Sequence, residues 1–367
     1  MSLNNYTGRL RMIIKDDSKK KSALKISREL TKSILSEKKF PFHYASKFLY
    51  RSDSGDYANY LTLEEEVQVR FSKNLHSIGY HTLLKNKLSS ALYFEECGLP
   101  IPKMPLYNVE QVFFTKEKTI EIHTLDDLYS LLSGVFEDEN HESLFVKEFA
   151  ESGGAGCYLI KKEGLRDQLE KIGPRLLKRS FIYQETIKQH DSLNAINSSC
   201  LNTIRFETYI DKEKKSHIVS SYIRFGVGDN VVDNAGAGGF FVSINQETGR
   251  LQGKGYQKLA ANSGAKTFTH HPSTQFELEN AEIPLYKEAC DLVLKAMEFV
   301  PERYIGWDIA ISSDGPIIVE GNAAPHIMVA DIAYGGYKKH PLYSEILDEA
   351  YKTGIHRDKI MYFKNID

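Results

Sequence analysis

The sequence predicts an α+β protein with largely antiparallel sheets, and three observations carry that expectation. From Asn202 onward, strand-like runs (NTIRFETYI, SHIVSSYIRFGV, GGFFVSI) succeed one another before a long helix from about Pro284 to Phe299. Residues 1–75 read as helical and charged, with no strand–helix–strand unit of the kind that builds a parallel sheet. The stretch from Arg303 to Pro325, RYIGWDIAISSDGPIIVEGNAAP, alternates with period two on both sides of a turn and reads as a hairpin.

The hairpin is the most informative segment. On its first strand Ile305, Trp307, Ile309 and Ile311 share one face, leaving Gly306, Asp308 and Ala310 on the other. With a three-residue loop of Ser313, Asp314 and Gly315, Asp308 falls opposite Glu320, Ile309 opposite Val319 and Ile311 opposite Ile317. Two carboxylates roughly 5 Å apart at their β-carbons then share a face, with Asn322 about 7 Å further along. Like charges directly opposite destabilise a sheet, so a cation belongs between them, and hard oxygen ligands suit magnesium. Gly321 keeps side-chain bulk off the strand between two of these ligands.

Working along the chain, Thr62 is placed to cap a helix over LTLEEEVQVRF ahead of Glu65. A helix containing Ala91, Leu92 and Phe94 ends at Gly98, and GLPIPKMPLYNV runs extended because its three prolines forbid continuation. A helix begins near Thr124, the strand LFVKEF follows, and ESGGAGCYLI is a glycine loop entering another strand. A helix around Leu165 to Leu177, the strand FIYQETI and a tyrosine-rich C-terminal capping helix complete the pattern.

Composition excludes several classes. The chain has 367 residues, 41% hydrophobic and 26% charged, which is ordinary for a soluble globular protein of two or three domains. It contains no run of 18 apolar residues and its N-terminus lacks a secretory core, so a cytoplasmic address with no transmembrane segment is expected. Cys97, Cys157, Cys200 and Cys290 lack CxxC spacing and read as reduced, mostly buried thiols. The net charge of −2 is uneven: residues 1–50 hold 12 Lys and Arg against 4 Asp and Glu. That arm is able to attract phosphorylated substrates or, peripherally, an anionic membrane. Ala23, Ile26, Leu30 and Ile34 at helical spacing favour a solvated helix instead, and the lack of a recognition motif excludes nucleic acid.

Further charges suit a phosphate ligand. Lys147 alternates onto the face of Phe145 and Phe149, where an ammonium needs an anionic partner, and the loop of Gly153, Gly154 and Gly156 downstream offers backbone N–H groups. The competing reading is a tight turn beside a snorkelling lysine. Arg205 shares a strand face with Thr203 and Glu207 and is suited to clamp a carboxylate or phosphate; the alternative is a surface pair with Glu207. Arg224 sits similarly, and Asn234 precedes Gly236, Gly238 and Gly239, which permit close approach of a ligand to backbone.

In their order (NK before GLPIP, FVKEF with its glycine loop, IYQETI, NTIRFET, DNAGAGG, GWDIAI, VEGNAAP) these pieces resemble the ATP-grasp superfamily, closest to its sugar-transfer-associated branch. The resemblance runs from about Asn86 to Pro325. It implies an ATP-grasp fold: two α+β subdomains clasping the nucleotide, at residues 80–185 and 186–330, between a helical basic N-terminal region at 1–79 and a C-terminal capping segment at 331–367. It implies ATP and Mg2+, with Lys87 and Lys147 on the α- and β-phosphates, the glycine loop as a lid, and Gln184 and Glu185 as the adenine-side hinge. Asp191 is the implied ribose acid, and Asp308, Glu320 and Asn322 are the implied magnesium ligands. Arg205 is implied at the acyl-phosphate and tetrahedral intermediate, with Arg224 and Asn234 nearby. The implied activity is carboxylate–amine ligation between two small molecules, such as an amino acid and an amino sugar, in surface-polysaccharide synthesis. A phosphotransferase and a non-catalytic nucleotide-binding subunit are the alternatives. The N-terminal region departs from the doubly wound domain that many ATP-grasp enzymes place first, so substrate recognition there is not carried over.

Overall fold

The computed structural model describes residues 19–138, 141–150, 156–228, 233, 238–257 and 266–356. The chain opens with helix α1 (Ala23–Glu37), the short α2 (His43–Ser46) and α3 (Leu63–Phe71). Thr62 and Glu65 form the expected reciprocal cap on α3: the Thr62 hydroxyl accepts the Glu65 N–H at 3.2 Å and the Glu65 carboxylate accepts the Thr62 N–H at 2.7 Å. The α1 stripe behaves differently from expectation. Ile26 and Leu30 are only half-buried and Ile34 is exposed, whereas Glu29 is buried. Its carboxylate is matched by the Lys21 ammonium at 2.8 Å and the Tyr44 hydroxyl at 2.5 Å, so a paired charge docks this helix rather than leaving it solvated.

Helices α4 (Ile78–Lys85) and α5 (Lys87–Glu96) lead into the first sheet. The Asn86 side chain caps α5 by accepting the Ser89 N–H, and Gly98 takes the left-handed conformation that ends it. The first sheet comprises β1 (Leu106–Val109), β2 (Val112–Thr115), β3 (Thr119–Glu121), β4 (Ser143–Glu148), β5 (Cys157–Lys161) and β6 (Phe181–Glu185). Its order is β3-β2-β1-β6-β4-β5, antiparallel at every pairing. Helices α6 (Leu125–Asp138) and α7 (Leu165–Leu176) cover one face, burying Leu144, Val146, Phe181 and Tyr183 with Leu128, Leu132 and Leu169.

The second sheet comprises β7 (Thr203–Ile210), β8 (Ser216–Phe225), β9 (Phe240–Ile244), β10 (Leu251–Gln257), β11 (Thr267–Phe268), β12 (Tyr304–Ser312) and β13 (Gly315–Asn322). The short helix α8 (Asp191–Ile196) precedes it, and α9 (Tyr286–Phe299) lies in the sequence before β12. The strand order is β11-β10-β9-β8-β7-β12-β13, again antiparallel throughout. Both faces are covered. Ile305, Trp307, Ile309 and Ile311 join α9, Leu84 and Phe94 in one core. On the other face Tyr209, Tyr222, Phe241 and Tyr304 meet the N-terminal Phe48, Leu49 and Leu61, together with α10 (Ile327–Tyr334) and α11 (Tyr343–Tyr351).

The β12–β13 hairpin carries a local correction. Ser312 pairs with Gly315, so the turn is two residues, Ser313 and Asp314, tied by the Ser312 hydroxyl donating to Gly315 O at 2.8 Å. The extra residue is absorbed by a bulge between the Asp308–Glu320 and Ile309–Ile318 pairs. Ile318 therefore occupies the core place expected for Val319, while Asp308 still falls opposite Glu320. Gly321 also serves another purpose than expected: a β-carbon there would lie 3.0 Å from Leu84 and 3.2 Å from Trp307, so its bareness makes room on the apolar face. Among the described residues the four cysteines form no disulfide and are half-buried rather than buried. No helix among the described residues is long and apolar enough to cross a membrane.

Candidate active site

Asp308 is the centre of the polar constellation. On β7 the register places Arg205 directly opposite Asp308, and on β13 Glu320 stands on its other side. Arg205 grips Asp308 through two bonds, Nε to Oδ1 at 2.5 Å and a terminal nitrogen to Oδ2 at 3.1 Å. Arg224, one strand further out on β8, reaches the same Oδ2 at 3.1 Å. Asp308 and Arg205 are buried, 4% and 7% exposed, which excludes the reading of Arg205 as one half of a surface pair with Glu207. Gly306 makes this possible, since a β-carbon there would sit 3.2 Å from the Arg205 guanidinium and 2.6 Å from Pro325.

Three carboxyls in this buried patch titrate apart. Burial would raise Asp308, but the positive charges of Arg205 and Arg224 outweigh it and hold the group below its ordinary range. Asp233 is pushed up by burial despite Arg224, and its Oδ2 accepts from the Thr203 N–H at 2.8 Å and the Thr203 hydroxyl at 2.5 Å. Glu207 is pushed up to about 8 by burial, Arg205 opposing, and neither of its oxygens has a hydrogen-bond partner. A neutral Glu207 beside an ionised Asp308 directs the Arg205 charge to Asp308. Sequence reasoning missed Asp233, although it opens the DNAGAGG motif, and treated Glu207 only as a surface partner.

Two lysines flank this patch, Lys147 on the first sheet and Lys87 at the start of α5. Leu144 and Val146 of β4 point into the core under α6 and α7, so alternation turns Phe145 and Lys147 to the opposite face. There the Lys147 ammonium lies over the Phe145 ring, 5.5 Å from its centroid. Burial lowers Lys147, with Glu320 the chief charge acting the other way and Lys87 and Asp308 also within electrostatic reach. Lys87 starts α5, and its backbone N–H donates to Phe149 O at 3.0 Å, fixing that helix start to the end of β4. The structure thus brings Lys87, Lys147, Glu320, Asp308, Arg205 and Arg224 into one electrostatic neighbourhood.

The remaining expected residues fall around this centre. Gln184 pairs opposite Phe145, is buried, and its side-chain oxygen lacks a protein partner. Glu185 is tied to the chain entering β1, its N–H donating to Lys103 O at 2.9 Å and its carboxylate accepting the Lys103 N–H at 3.2 Å. Asp191 is exposed at the start of α8, which is anchored where His190 N–H donates to Ile311 O at 2.9 Å. Ile311 is three residues along β12 from Asp308, about 10 Å at strand rise. Gly156 has φ of 67° and its carbonyl accepts the Glu148 N–H. Gly153, Gly154 and Asn234 lie outside the described residues.

Asp308, Glu320 and Asn322 carry hard oxygens of the kind magnesium takes; the buried Asn322 amide nitrogen, a donor without a partner in the protein, would meet a ligand oxygen rather than the metal. Among the described residues no group of three or more His, Cys, Asp or Glu gathers as a metal site; this set has two acids and an amide. Both oxygens of Asp308 are already engaged by Arg205 and Arg224, so a cation here would share that carboxylate with the arginines.

The sequence matches the family described as sugar-transfer associated ATP-grasp over residues 66–342, more than half of the chain. The chain belongs to that family. A comparison with curated proteins gives no match. Among solved structures, D-alanyl-alanine synthetase A from Vibrio cholerae is 15% identical with a TM-score of 0.44, over 75% of this chain and 66% of that one. D-alanine–D-alanine ligase from Bacillus anthracis is 13% identical with a TM-score of 0.43, over 75% and 70% respectively. N5-carboxyaminoimidazole synthase from Aspergillus clavatus, solved with ADP, is 12% identical with a TM-score of 0.44, over 74% and 54%. The chain spans less than two thirds of the length of the first and third of these.

Proposed function

We propose that the protein is an ATP-dependent carboxylate–amine ligase working through an acyl phosphate, with a cytoplasmic role in surface-polysaccharide or sugar-conjugate synthesis. The observation that carries this reading is the meeting of Lys147 from one sheet and Lys87 from the start of α5 with the Asp308–Glu320 pair and two buried arginines from the other sheet. A nucleotide between the sheets would place its phosphates against the lysines. Magnesium, held by Asp308, Glu320 and Asn322, would offset phosphate charge.

In the proposed reaction a substrate carboxylate oxygen attacks the γ-phosphorus and ADP leaves. An amine then attacks the acyl carbon, and inorganic phosphate departs as the amine gives up its proton. Arg205 and Arg224 would meet charge that develops on the acyl oxygen, and one such contact is worth roughly 3 kcal/mol in a transition state. The Gly153–Gly156 loop would exclude water from the acyl phosphate, Gln184 and Glu185 would meet the base, and Asp191 the ribose. The test is ADP release from ATP and magnesium across amino acids and amino sugars. Release that requires a carboxylate and an amine together supports ligation; a stable phosphorylated product without amine would replace it with phosphotransfer.

A further inference from the structure

The outward face of α1 and the chain just past it gather exposed apolar side chains. Among the described residues eleven large hydrophobic side chains are exposed, and five of them (Leu24, Ile34, Leu35, Phe40 and Phe42) fall within residues 24–42, which is a cluster rather than scatter. Leu24 and Leu35 are 83% and 74% exposed. Buried Glu29 and Ser33 fix which side of α1 meets the protein. Leu24 and Leu35 stand about half a turn around from Ser33, on one outward stripe, about 16 Å apart along the axis. The Lys38 N–H closes the helix by donating to Ile34 O at 2.8 Å, and the Phe40 and Phe42 rings then pack together, 5.0 Å between centroids.

Cations are interleaved with these side chains. Lys25, Arg28, Lys32 and Lys38 are exposed. Lys25, Lys32 and Lys38 have no ion pair among the described residues, and Arg28 comes within electrostatic reach of the Tyr57 phenol. The acids of this region are engaged elsewhere. Glu29 is buried against Lys21 at 2.8 Å, and Glu64 pairs with Lys39 at 3.1 Å. Glu37 accepts the Ser33 hydroxyl at 2.6 Å and lies 3.7 Å from His43. Asp53 is held by Arg51 and Lys254, and Asp56 caps the turn Tyr57–Asn59 by accepting the Ala58 N–H at 3.1 Å.

The outward stripe runs Leu24, Arg28, Thr31, Leu35, and this order decides between two kinds of partner. A dry protein groove that took both leucines would also bury the Arg28 charge and the Thr31 hydroxyl between them. The headgroup layer of a bilayer is polar: it takes a guanidinium among its phosphates while the leucines reach the acyl boundary. At 15 residues α1 is too short to cross a bilayer, so it would lie on one. We propose that this face docks on an anionic lipid bilayer, with α1 in the headgroup plane, Leu24, Leu35 and Phe40 inserted, and Lys25, Lys32 and Lys38 at the lipid phosphates. The surface precedes the family-matched residues 66–342, and its binding needs no nucleotide, so it stands apart from the ligase reading.

Co-sedimentation of the full-length protein with vesicles of phosphatidylcholine, alone or with about 30% phosphatidylglycerol, tests it. Binding is expected to be at least about tenfold stronger to the anionic vesicles and to weaken as salt rises. Leu24→Ser with Leu35→Ser, and separately Lys25→Glu with Lys32→Glu, should each weaken it about tenfold while Tm and ATP affinity stay at wild-type values. In Phe40→Trp the new indole should shift its emission to the blue on anionic vesicles, against the constant signal of the buried Trp307. No binding to anionic vesicles at low salt, equal binding to neutral ones, or an unshifted indole would overturn the assignment. Binding lost in the lysine variant but kept in the leucine variant would overturn it too, in favour of an acidic protein surface that reads charge alone.

Discussion

The first sheet is packed by helices on one face and presents Phe145, Lys147 and Gln184 on the other, whereas the second is buried on both faces and holds its charges inside. Every residue of β7 and of β12 is buried, Arg205, Glu207 and Asp308 included. Charges in such a setting are held in place by one another, because each must find a partner where water cannot reach. The lysine side needs no such network: Lys147 rests on an aromatic ring and is electrostatically incomplete. One sheet thus carries arginine and carboxylate paired with each other, the other a lysine whose chief opposing charge, Glu320, belongs to the neighbouring sheet.

That difference is broken most sharply by substitutions on either side of the same hairpin pair. Glu320→Gln and Asp308→Asn should each lower turnover by about 10²-fold or more, read as ADP release. They part in stability. Asp308→Asn leaves two buried guanidiniums short of their carboxylate and should cost about 3–5 kcal/mol in denaturant unfolding, while half-buried Glu320→Gln should cost less than 1 kcal/mol. Equal stability of the two variants would mean that Asp308 does not anchor the platform.

The next effect is a pH dependence in the protein without nucleotide. Glu207 titrates at about 8 in the folded chain, above its unfolded value near 4.5. Between those values the folded state holds the extra proton, so this group's contribution to stability declines as pH rises from about 4.5 to 8, by up to about 1.4 kcal/mol per unit. Glu207→Gln should flatten that slope and raise Tm at pH about 8 relative to wild type. A Tm–pH profile with the wild-type slope retained in the variant would show that Glu207 is not the group responsible.

Gly306→Ala tests how closely Arg205 lies against its neighbour strand. The added methyl meets Pro325 and the guanidinium and should cost about 1–3 kcal/mol. Its larger signature is a fall in turnover with nucleotide affinity unchanged. Lys147→Ala is the mildest to the fold: removing a buried ammonium should leave Tm unchanged or higher, while ATP affinity falls about tenfold. A large loss of stability with undiminished ATP binding would instead make Lys147 a packing residue.

Much of this was legible in the sequence because period-two alternation is local. Ile305, Trp307, Ile309 and Ile311 fall in one core as the pattern requires, and the Thr62–Glu65 cap follows from spacing alone. The Asp308–Glu320 pairing was reached through a three-residue turn that does not exist, and it holds because the bulge restores the register. A serine hydroxyl closing a two-residue turn and a bulge of one residue leave no distinct composition behind.

What the sequence determined by itself is the antiparallel α+β plan, the lysine among phenylalanines and the acidic face of the hairpin, since each rests on neighbours a few residues apart. Only the tertiary structure decided that Arg205 and Arg224 share Asp308, that burial pushes Glu207 up, and that residues between Lys47 and Tyr60 help to wall a cavity. Those outcomes depend on which strands lie side by side and what covers them, and desolvation by distant segments is a property that no local pattern encodes.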